Sequence, residues 1–259
     1  MVTASDLQPI REALLEKRCL VVAHRGYIAR SALPENSLAA FDRAREFGAH
    51  GVELDVRLSR DFQLVVFHDA SLQRMTGLAQ RVGETPGQKI RQLPLIAQGE
   101  STGELVPILQ QVLEQIGGKL YLNIELKAPA SRAAMLATLV AQAVQQAGML
   151  DWVWFSSFQP LALWHLKRLL PRAPAGLLFS RWHLFYRFLA LRAWVDVLHP
   201  SVELLPRVHK LQACRKPLVF WTVNLPSQVK RLCALGAAAV ITDDVEMAVR
   251  AREQCPNSG

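Results

Sequence analysis

Short apolar runs rich in β-branched and aromatic residues alternate along the chain with longer segments of helical periodicity. Eight such runs are typical of strands, and most neighbouring runs are separated by an amphipathic segment typical of a helix. This alternation predicts a parallel sheet, and eight units within 259 residues predict a TIM-type (β/α)8 barrel. The predicted strands are residues 20–23, 51–56, 120–126, 152–156, 175–179, 194–198, 218–223 and 239–242, and the clearest helices are residues 37–47, 131–147, 160–170, 204–214 and 227–235.

One further strand-like run, residues 63–67, does not fit the alternation, because only residues 59–62 separate it from the second strand. A parallel return needs a crossover of a dozen or more residues, so these two strands must pair as an antiparallel hairpin. We expect the hairpin to bring His68 back to the level of Glu53 and Asp55. The sequence therefore predicts a histidine beside two carboxylates.

Two segments lie outside the predicted barrel units. Residues 70–103 are rich in Gly, Gln and Thr without a clear period, which indicates an insertion or lid over the barrel. Residues 6–17 predict an added helix that closes the bottom of the barrel. Since no linker-like segment interrupts the chain, we expect one domain over residues 1–259 with its core at residues 19–250.

Two predicted strands carry charged residues at positions where a strand of a parallel barrel is normally apolar. The two-residue period places Glu53 and Asp55 on the inner face, together with Glu125 and Lys127 of the next barrel strand. Buried carboxylates are costly unless they are neutralised, and Mg²⁺ or Ca²⁺ bound by Glu53, Asp55 and Glu125 would neutralise them. A structural salt-bridge network with Lys127 and Arg25 is the alternative.

His24 and Arg25 end the first predicted strand, at the rim where such barrels place their active sites. An arginine can bind a phosphate through two hydrogen bonds, and a histidine can exchange a proton near neutral pH. Alone, His24 is as easily a structural residue, but with His68 it forms a candidate acid/base pair. Just downstream, Asn36 or Ser37 is predicted to be a helix N-cap rather than a ligand.

The formal net charge of +8 indicates attraction to an anion, which could be nucleic acid, a lipid surface or a phosphorylated substrate. No run of basic residues or nucleic-acid motif occurs, so we expect no nucleic-acid partner. The most apolar region, residues 177–198, is interrupted by charges and cannot span a membrane. We expect a helix in the outer ring there, with transient contact to a membrane surface as the alternative.

Two features of the sequence bear on the compartment. Residues 1–8 are mixed and polar, which indicates no secretory signal and leads us to expect a cytoplasmic protein. The four cysteines are far apart and form no C-x-x-C pair, which predicts buried or inert thiols rather than a zinc cluster or a disulfide framework. These cysteines are Cys19, Cys214, Cys233 and Cys255.

Seven short motifs, taken in order, resemble the signature of the glycerophosphodiester phosphodiesterase family over roughly residues 20–245. Each motif is a weak signal alone, but the ordered set is specific. The chain departs from the family pattern in two places. Ser37 stands where the family usually has threonine, and the region after His68-Asp69 diverges, so the resemblance does not predict the headgroup pocket or the substrate preference. The motifs are His24-Arg25-Gly26, Pro34-Glu35-Asn36-Ser37, Glu53-Leu54-Asp55-Val56, His68-Asp69, Glu125-Leu126-Lys127, Trp221-Thr222-Val223-Asn224 and Ile241-Thr242-Asp243-Asp244.

The resemblance implies a metal-dependent barrel that hydrolyses small glycerophosphodiesters, such as glycerophosphocholine or glycerophosphoethanolamine, to glycerol 3-phosphate and an alcohol. By analogy with the related phosphoinositide phospholipases, a substrate hydroxyl attacks first and gives a cyclic phosphate. The resemblance assigns Glu53, Asp55 and Glu125 to a divalent metal, Arg25 and Lys127 to the phosphate, and His24 and His68 to the base and the acid.

Several interpretations stay open. Trp221 is expected either to form a wall for the glycerol moiety or to be a core residue, and His199 either to reach the site or, more simply, to lie in a surface turn. The apolar, basic residues 179–194 favour a lysophospholipase D as the alternative activity, with Phe158, Leu184, Phe185 and Phe188 lining an acyl groove. A non-catalytic phosphate- or lipid-binding barrel and a metal-free isomerase barrel are the alternatives from other classes. The sequence indicates no particular oligomeric state.

Overall fold

A nearly closed barrel of eight parallel strands lies at the centre of the computed structural model, which describes residues 8–29 and 31–255. The prediction of a TIM-type barrel is therefore confirmed. The strands are β1 (Leu20–His24), β2 (Gly51–Leu58), β3 (Leu64–Val66), β4 (Pro94–Ala97), β5 (Glu100–Leu105), β6 (Tyr121–Leu126), β7 (Val153–Ser157), β8 (Ala175–Phe179), β9 (Val197–Pro200), β10 (Val219–Phe220) and β11 (Ala239–Thr242). The order around the barrel is β10, β11, β1, β2, β6, β7, β8, β9.

Parallel bridges complete the circle between β9 and β10, where Leu198 pairs with Leu218 and Ser201 with Trp221. Helices lie around the barrel, at its lower end and in the segment that follows the hairpin. They are α1 (Ile10–Leu15), α2 (Leu38–Glu46), α3 (Gln73–Thr76), α4 (Gly87–Ile90), α5 (Leu109–Ile116), α6 (Ala133–Gln146), α7 (Pro160–Leu169), α8 (Leu184–Ala190), α9 (Val208–Gln212), α10 (Pro226–Ala234) and α11 (Val245–Glu253), with 3-10 turns at Val82–Glu84, Ala130–Arg132 and Val202–Arg207.

The apolar residues of the strands fall into the two layers that a two-residue period requires. Val52, Leu54 and Val56 of β2 point outward and pack in the layer between barrel and helices. A separate inner cluster fills the lower barrel, where α1 contributes Ile10 and Leu14. The helix predicted to close the bottom is confirmed for the described residues. The polar residues of β2 and β6 lie at the upper end of the barrel.

The predicted hairpin is present. β3 pairs antiparallel with the end of β2, with Val56 opposite Val66. The amide of Phe67 then donates to the carbonyl of Asp55 over 2.9 Å, so His68 lies one residue beyond this pair and close to the inner carboxylates. The returning histidine is thus positioned by backbone pairing rather than by a loop.

The segment after the hairpin, predicted as an insertion, is folded rather than irregular. It contains α3, α4 and the two-stranded sheet of β4 and β5. It also has a small core of its own, formed by Val65, Phe67, Leu72, Met75, Val82, Ile90, Leu95 and Val106. Short elements without a helical or strand period explain why the sequence alone did not show this order; a role as a lid stays a prediction.

The sixth barrel strand begins later than residues 194–198 predict. The Asp196 carboxylate accepts from the amide of Ala175 and closes the turn before β9, which starts at Val197. In the preceding region only α8 is helical, and Leu184, Phe185 and Phe188 on it are exposed rather than packed in the outer ring. None of the helices among the described residues combines the length and apolar character needed to cross a bilayer.

The prediction that all four cysteines are inert thiols is wrong for one pair. Cys19, just before β1, and Cys233 on α10 form a disulfide across 214 residues of sequence. Cys214 is a free thiol within the described part of the chain, as expected, and the Cys255 thiol donates to the carbonyl of Ala251. No spacing signal marks this pair in the sequence, because the barrel, and not a local motif, brings the two residues together.

Candidate active site

Three carboxylates meet at the upper end of the barrel. Glu53 and Asp55 point inward from β2, and Glu125 points inward from β6, where it is the register partner of Asp55. All three are buried, and one oxygen from each lies within 4.8 Å of the others. The geometry that the sequence predicted for these residues is present.

Two cations border the carboxylates. The Lys127 ammonium lies 2.8 Å from Glu125 and 3.2 Å from Asp55, and the Arg25 Nε lies 3.4 Å from Asp55. The salt-bridge network that the sequence left open therefore exists. It offers two positive charges against three negative ones, so it does not neutralise the site by itself.

The imbalance is visible in the pKa values. Burial, and then the negative charges of Asp55 and Glu125, raise the pKa of Glu53 well above its usual value. Burial and Asp55 likewise raise the pKa of Glu125 to about 7. Burial alone would raise the pKa of Asp55, but Lys127 and Arg25 hold it below the ordinary range. The negative charge that Lys127 and Arg25 do not offset therefore lies on Glu53 and Glu125, whose pKa values are raised.

The residues present fit a divalent cation. Asp55 Oδ1 is buried and accepts no hydrogen bond from the described part of the chain, although Lys127 Nζ is 3.2 Å away. A hard cation among Glu53, Asp55 and Glu125 would use this oxygen and neutralise the excess negative charge. Carboxylate oxygens are the ligands that Mg²⁺ and Ca²⁺ prefer.

His24 lies at the end of β1 with its two ring nitrogens in different surroundings. Nδ1 is 2.7 Å from an oxygen of Asp243, and Nε2 is 4.0 Å from Glu53 Oε2. The Asn224 amide donates to the other oxygen of Asp243 over 2.6 Å, and its carbonyl oxygen accepts from the backbone N–H of Asp243. A proton on Nδ1 satisfies Asp243, which leaves the Nε2 lone pair facing the cavity.

His68 is also held by a carboxylate, but that carboxylate is itself paired with a cation. Its Nδ1 is 2.7 Å from Asp69, whose second oxygen accepts from Arg74 Nε over 2.6 Å. The Arg74 hydrogen bond is the main reason that the pKa of Asp69 falls to about 2. Burial, and then the cations Lys127 and Arg25, lower the pKa of His68 despite the attraction of Asp55.

The two imidazoles, the two cations and the carboxylates of Glu53 and Glu125 line one cavity of about 200 Å³. Its opposite wall is apolar and includes Phe158, Leu178 and Trp221. The Trp221 indole N–H donates to the His199 carbonyl over 2.8 Å, and the Phe158 ring meets the indole edge-on at 5.5 Å. Of the two readings of Trp221, the wall of the cavity is therefore the one that the structure shows.

Sequence reasoning missed several supporting residues. Ser37 is the N-cap of α2, but Asn36 instead donates to Asp55 Oδ2 over 2.9 Å while its own carbonyl oxygen accepts from the Asp55 amide. The backbone φ of Asn36 is 58°, a conformation that asparagine tolerates better than most residues. Asp243 was noted only as part of a motif, since nothing in the sequence paired it with His24.

His199 corrects another expectation. It is fully buried in the barrel rather than placed in a surface turn, and its Nε2 accepts from the Trp154 indole N–H over 3.2 Å. Gly176 makes room for the ring, because a Cβ there would lie 2.5 Å from it. His199 does not line the cavity, so it supports the floor beneath the site.

The sequence of the chain is similar to known glycerophosphodiester phosphodiesterases, in agreement with the motifs described above. The model of the "Glycerophosphoryl diester phosphodiesterase family" matches residues 24–247. A glycerophosphodiester phosphodiesterase of Caldanaerobacter subterraneus subsp. tengcongensis is 35% identical over 241 residues, which cover 88% of this chain and 96% of the relative.

Solved structures agree with the sequence relatives. An Oleispira antarctica phosphodiesterase, solved in complex with the product sn-glycerol-3-phosphate, has a TM-score of 0.81 at 26% identity and covers 98% of this chain and 100% of its own. A glycerophosphodiester phosphodiesterase from Parabacteroides distasonis has a TM-score of 0.80 at 25% identity, covering 91% of this chain and 97% of its own.

Proposed function

Because the chain belongs to the glycerophosphoryl diester phosphodiesterase family, we propose that it degrades glycerophosphodiesters with Mg²⁺ or Ca²⁺ held by Glu53, Asp55 and Glu125. The products are sn-glycerol 3-phosphate and an alcohol, as in glycerophospholipid degradation. One observation carries the proposal: two imidazoles, two cations and the carboxylates of Glu53 and Glu125 line a single cavity, and the buried Asp55 carboxylate lies beside these two glutamates. A non-catalytic binding barrel would not need this set of residues and could lose some of them. In this chain every residue that the family resemblance assigns to the metal, the phosphate and proton transfer is present.

Binding of the phosphate belongs to the two cations. Arg25 and Lys127 line the cavity and can donate to the phosphate oxygens, which carry negative charge throughout the reaction. The bound divalent cation supplies Lewis-acid stabilisation of charge that develops on the phosphoryl group. The apolar wall at Trp221 and Phe158 offers a surface for the carbons of the glycerol moiety.

Proton transfer belongs to the histidines. His24 Nε2, with its lone pair directed into the cavity by Asp243, takes the proton from a glycerol hydroxyl as that oxygen bonds to phosphorus. His68 gives a proton to the alcohol oxygen as its bond to phosphorus breaks. Burial lowers the pKa of His68, and the negative charge of a bound diester acts in the opposite direction by favouring the protonated imidazole. Water then opens the cyclic phosphate with the two roles exchanged.

The test is release of sn-glycerol 3-phosphate from glycerophosphocholine, with and without EDTA, in wild type, Glu53→Gln and His24→Ala. We expect EDTA and either substitution to lower kcat by at least about 100-fold. Exposed residues of the same types provide matched controls, Glu46→Gln on α2 and His209→Ala on α9, and these should retain full activity. Activity that survives all three treatments would exclude the proposed mechanism.

A second candidate activity concerns acylated substrates at a membrane surface. Leu184, Phe185, Phe188 and Leu191 on or beside α8 are between 54% and 78% exposed, an unusual density of large apolar side chains. α8 follows β8, whose end contributes Leu178 to the cavity. This face favours a lysophospholipase D that contacts lipid transiently.

Turnover of lysophosphatidylcholine should then fall in Leu184→Ser/Phe188→Ser, while turnover of glycerophosphocholine stays unchanged. Leu225→Ser, at another exposed leucine, serves as the control. If wild type does not hydrolyse lysophosphatidylcholine, the enzyme is restricted to water-soluble diesters. If Leu184→Ser/Phe188→Ser hydrolyses it as fast as wild type, this apolar face plays no part in the reaction.

A further inference from the structure

A second cavity of about 250 Å³ adjoins the first, and Lys127 lines both. It lies between the end of β2, the loop after β6 and the turn at Val82–Glu84 in the folded insertion. Its charged lining consists of Arg57, Arg81, Lys127 and Arg132 against the single acid Glu84. The lining therefore carries an excess of positive charge, and apart from Lys127 its residues take no part in the proposed chemistry.

Two of the four cations of this cavity are paired within the protein, Lys127 with Glu125 and Asp55 and Arg81 with Glu84, and the other two are not. In the portion of the chain that the structure describes, neither Arg57 nor Arg132 has a carboxylate oxygen within 4.0 Å, and their hydrogen bonds go to the backbone carbonyls of His68 and Ser59. Glu84 is itself an exposed partner, 3.7 Å from Arg81. Arginines of one cavity that lack carboxylate partners are well suited to an external anion.

The position of the cavity relates it to one half of the substrate. Arg57 Nε donates to the His68 carbonyl over 2.8 Å, and Ala70, two residues after His68, also lines the cavity. His68 is the residue that protonates the departing alcohol. A group carried by that alcohol therefore extends toward Arg57 and away from the apolar wall at Trp221, which lies across the site.

We propose that this cavity is a second anion subsite, which binds a phosphate monoester carried by the alcohol half of the diester. The proposal rests on the proposed function and specifies its substrate class: glycerophosphodiesters whose alcohol bears an additional phosphate. The same field disfavours alcohols that carry a cation, such as choline, because a quaternary ammonium would meet arginines rather than carboxylates or aromatic rings.

The test compares glycerophosphoinositol 4-phosphate with glycerophosphoinositol, two substrates that differ only in the added phosphate. Wild type should show the higher kcat/KM for the phosphorylated substrate, and raised salt should reduce that preference. In Arg81→Gln/Arg132→Gln the ratio of the two kcat/KM values should fall by about tenfold, and glycerophosphoinositol itself should be turned over as in wild type. Arg231→Gln, an exposed arginine on α10, is the matched control and should leave the ratio unchanged.

Two failures are distinguishable. If wild type hydrolyses glycerophosphoinositol but the ratio is the same in wild type and the double variant, the anion subsite is refuted and the proposed function stands. If wild type hydrolyses neither of these diesters nor glycerophosphocholine, the proposed function fails. The subsite is then judged by calorimetric titration of glycerophosphoinositol 4-phosphate into both proteins: weaker binding by the double variant supports it, and equal binding overturns it.

Discussion

The buried imidazole of His199 should make the stability of the barrel depend on pH. Burial lowers its pKa from 6.5 to about 3. Its Nε2 also accepts a hydrogen bond from Trp154, which a protonated nitrogen could not do. Protonation thus favours the unfolded chain, so this contribution to stability is complete above about pH 6.5 and is lost as the pH falls below it.

The magnitude follows from the two pKa values. At pH 5 the imidazole of the unfolded chain is almost fully protonated, whereas the folded one, with a pKa of about 3, is still neutral. Each pH unit in this interval is worth about 1.4 kcal/mol, so His199 should remove about 2 kcal/mol of unfolding free energy between pH 8 and pH 5. His50, whose pKa burial lowers to about 4, titrates over the same interval, and only a difference between variants isolates His199.

Urea unfolding at pH 8, 6.5 and 5, followed by circular dichroism, measures this difference. His199→Gln keeps an acceptor for Trp154 but cannot titrate, so its loss of stability between pH 8 and pH 5 should be about 2 kcal/mol smaller than that of wild type. The comparison does not depend on the cost of the substitution itself, because each protein is compared with itself. His209→Gln, at an exposed position on α9, should follow wild type. Identical pH dependence in wild type and His199→Gln would refute the reasoning.

Three further outcomes are expected. Asp243→Asn removes the carboxylate that orients His24 and should lower kcat by roughly 100-fold or more with little change in KM, and ¹⁵N NMR should show a changed His24 tautomer; an unchanged kcat would contradict the assignment. Gly26→Ala should cost about 2 kcal/mol or more in urea unfolding, because Gly26 has φ +97° and the new Cβ would lie 2.7 Å from that of Ala40; a cost below about 0.5 kcal/mol would argue against this close packing. Ser37→Ala removes the N-cap of α2 and should cost about 1 kcal/mol in the same assay without changing KM, and an unchanged midpoint would show that the cap adds nothing.

The sequence predicted the barrel and its inner carboxylates because both depend on periodicity. A two-residue period in β2 and β6 was sufficient to place Glu53, Asp55 and Glu125 on one face, and the short separation of β2 and β3 was sufficient to require a hairpin. These are local properties, and the barrel preserves them.

Features that depend on distant contacts were not predictable in the same way. The pairs His24 with Asp243 and Cys19 with Cys233 each join residues more than 200 positions apart. The burial of His199 depends on the space left by Gly176 on the neighbouring strand, which no pattern within either strand reveals.

The hairpin of β2 and β3 separates the residues of the proposed phosphorus chemistry from a segment that could be exchanged by engineering. The proposed metal ligands Glu53, Asp55 and Glu125 lie on the barrel strands β2 and β6. β3 instead leads into a segment that packs around a small separate core and contributes Arg81 and Glu84 to the second cavity. Transplanting residues 70–103 from a relative should therefore exchange headgroup preference while the phosphorus chemistry is inherited unchanged. The headgroup preference of this enzyme can therefore change by replacement of one segment, residues 70–103.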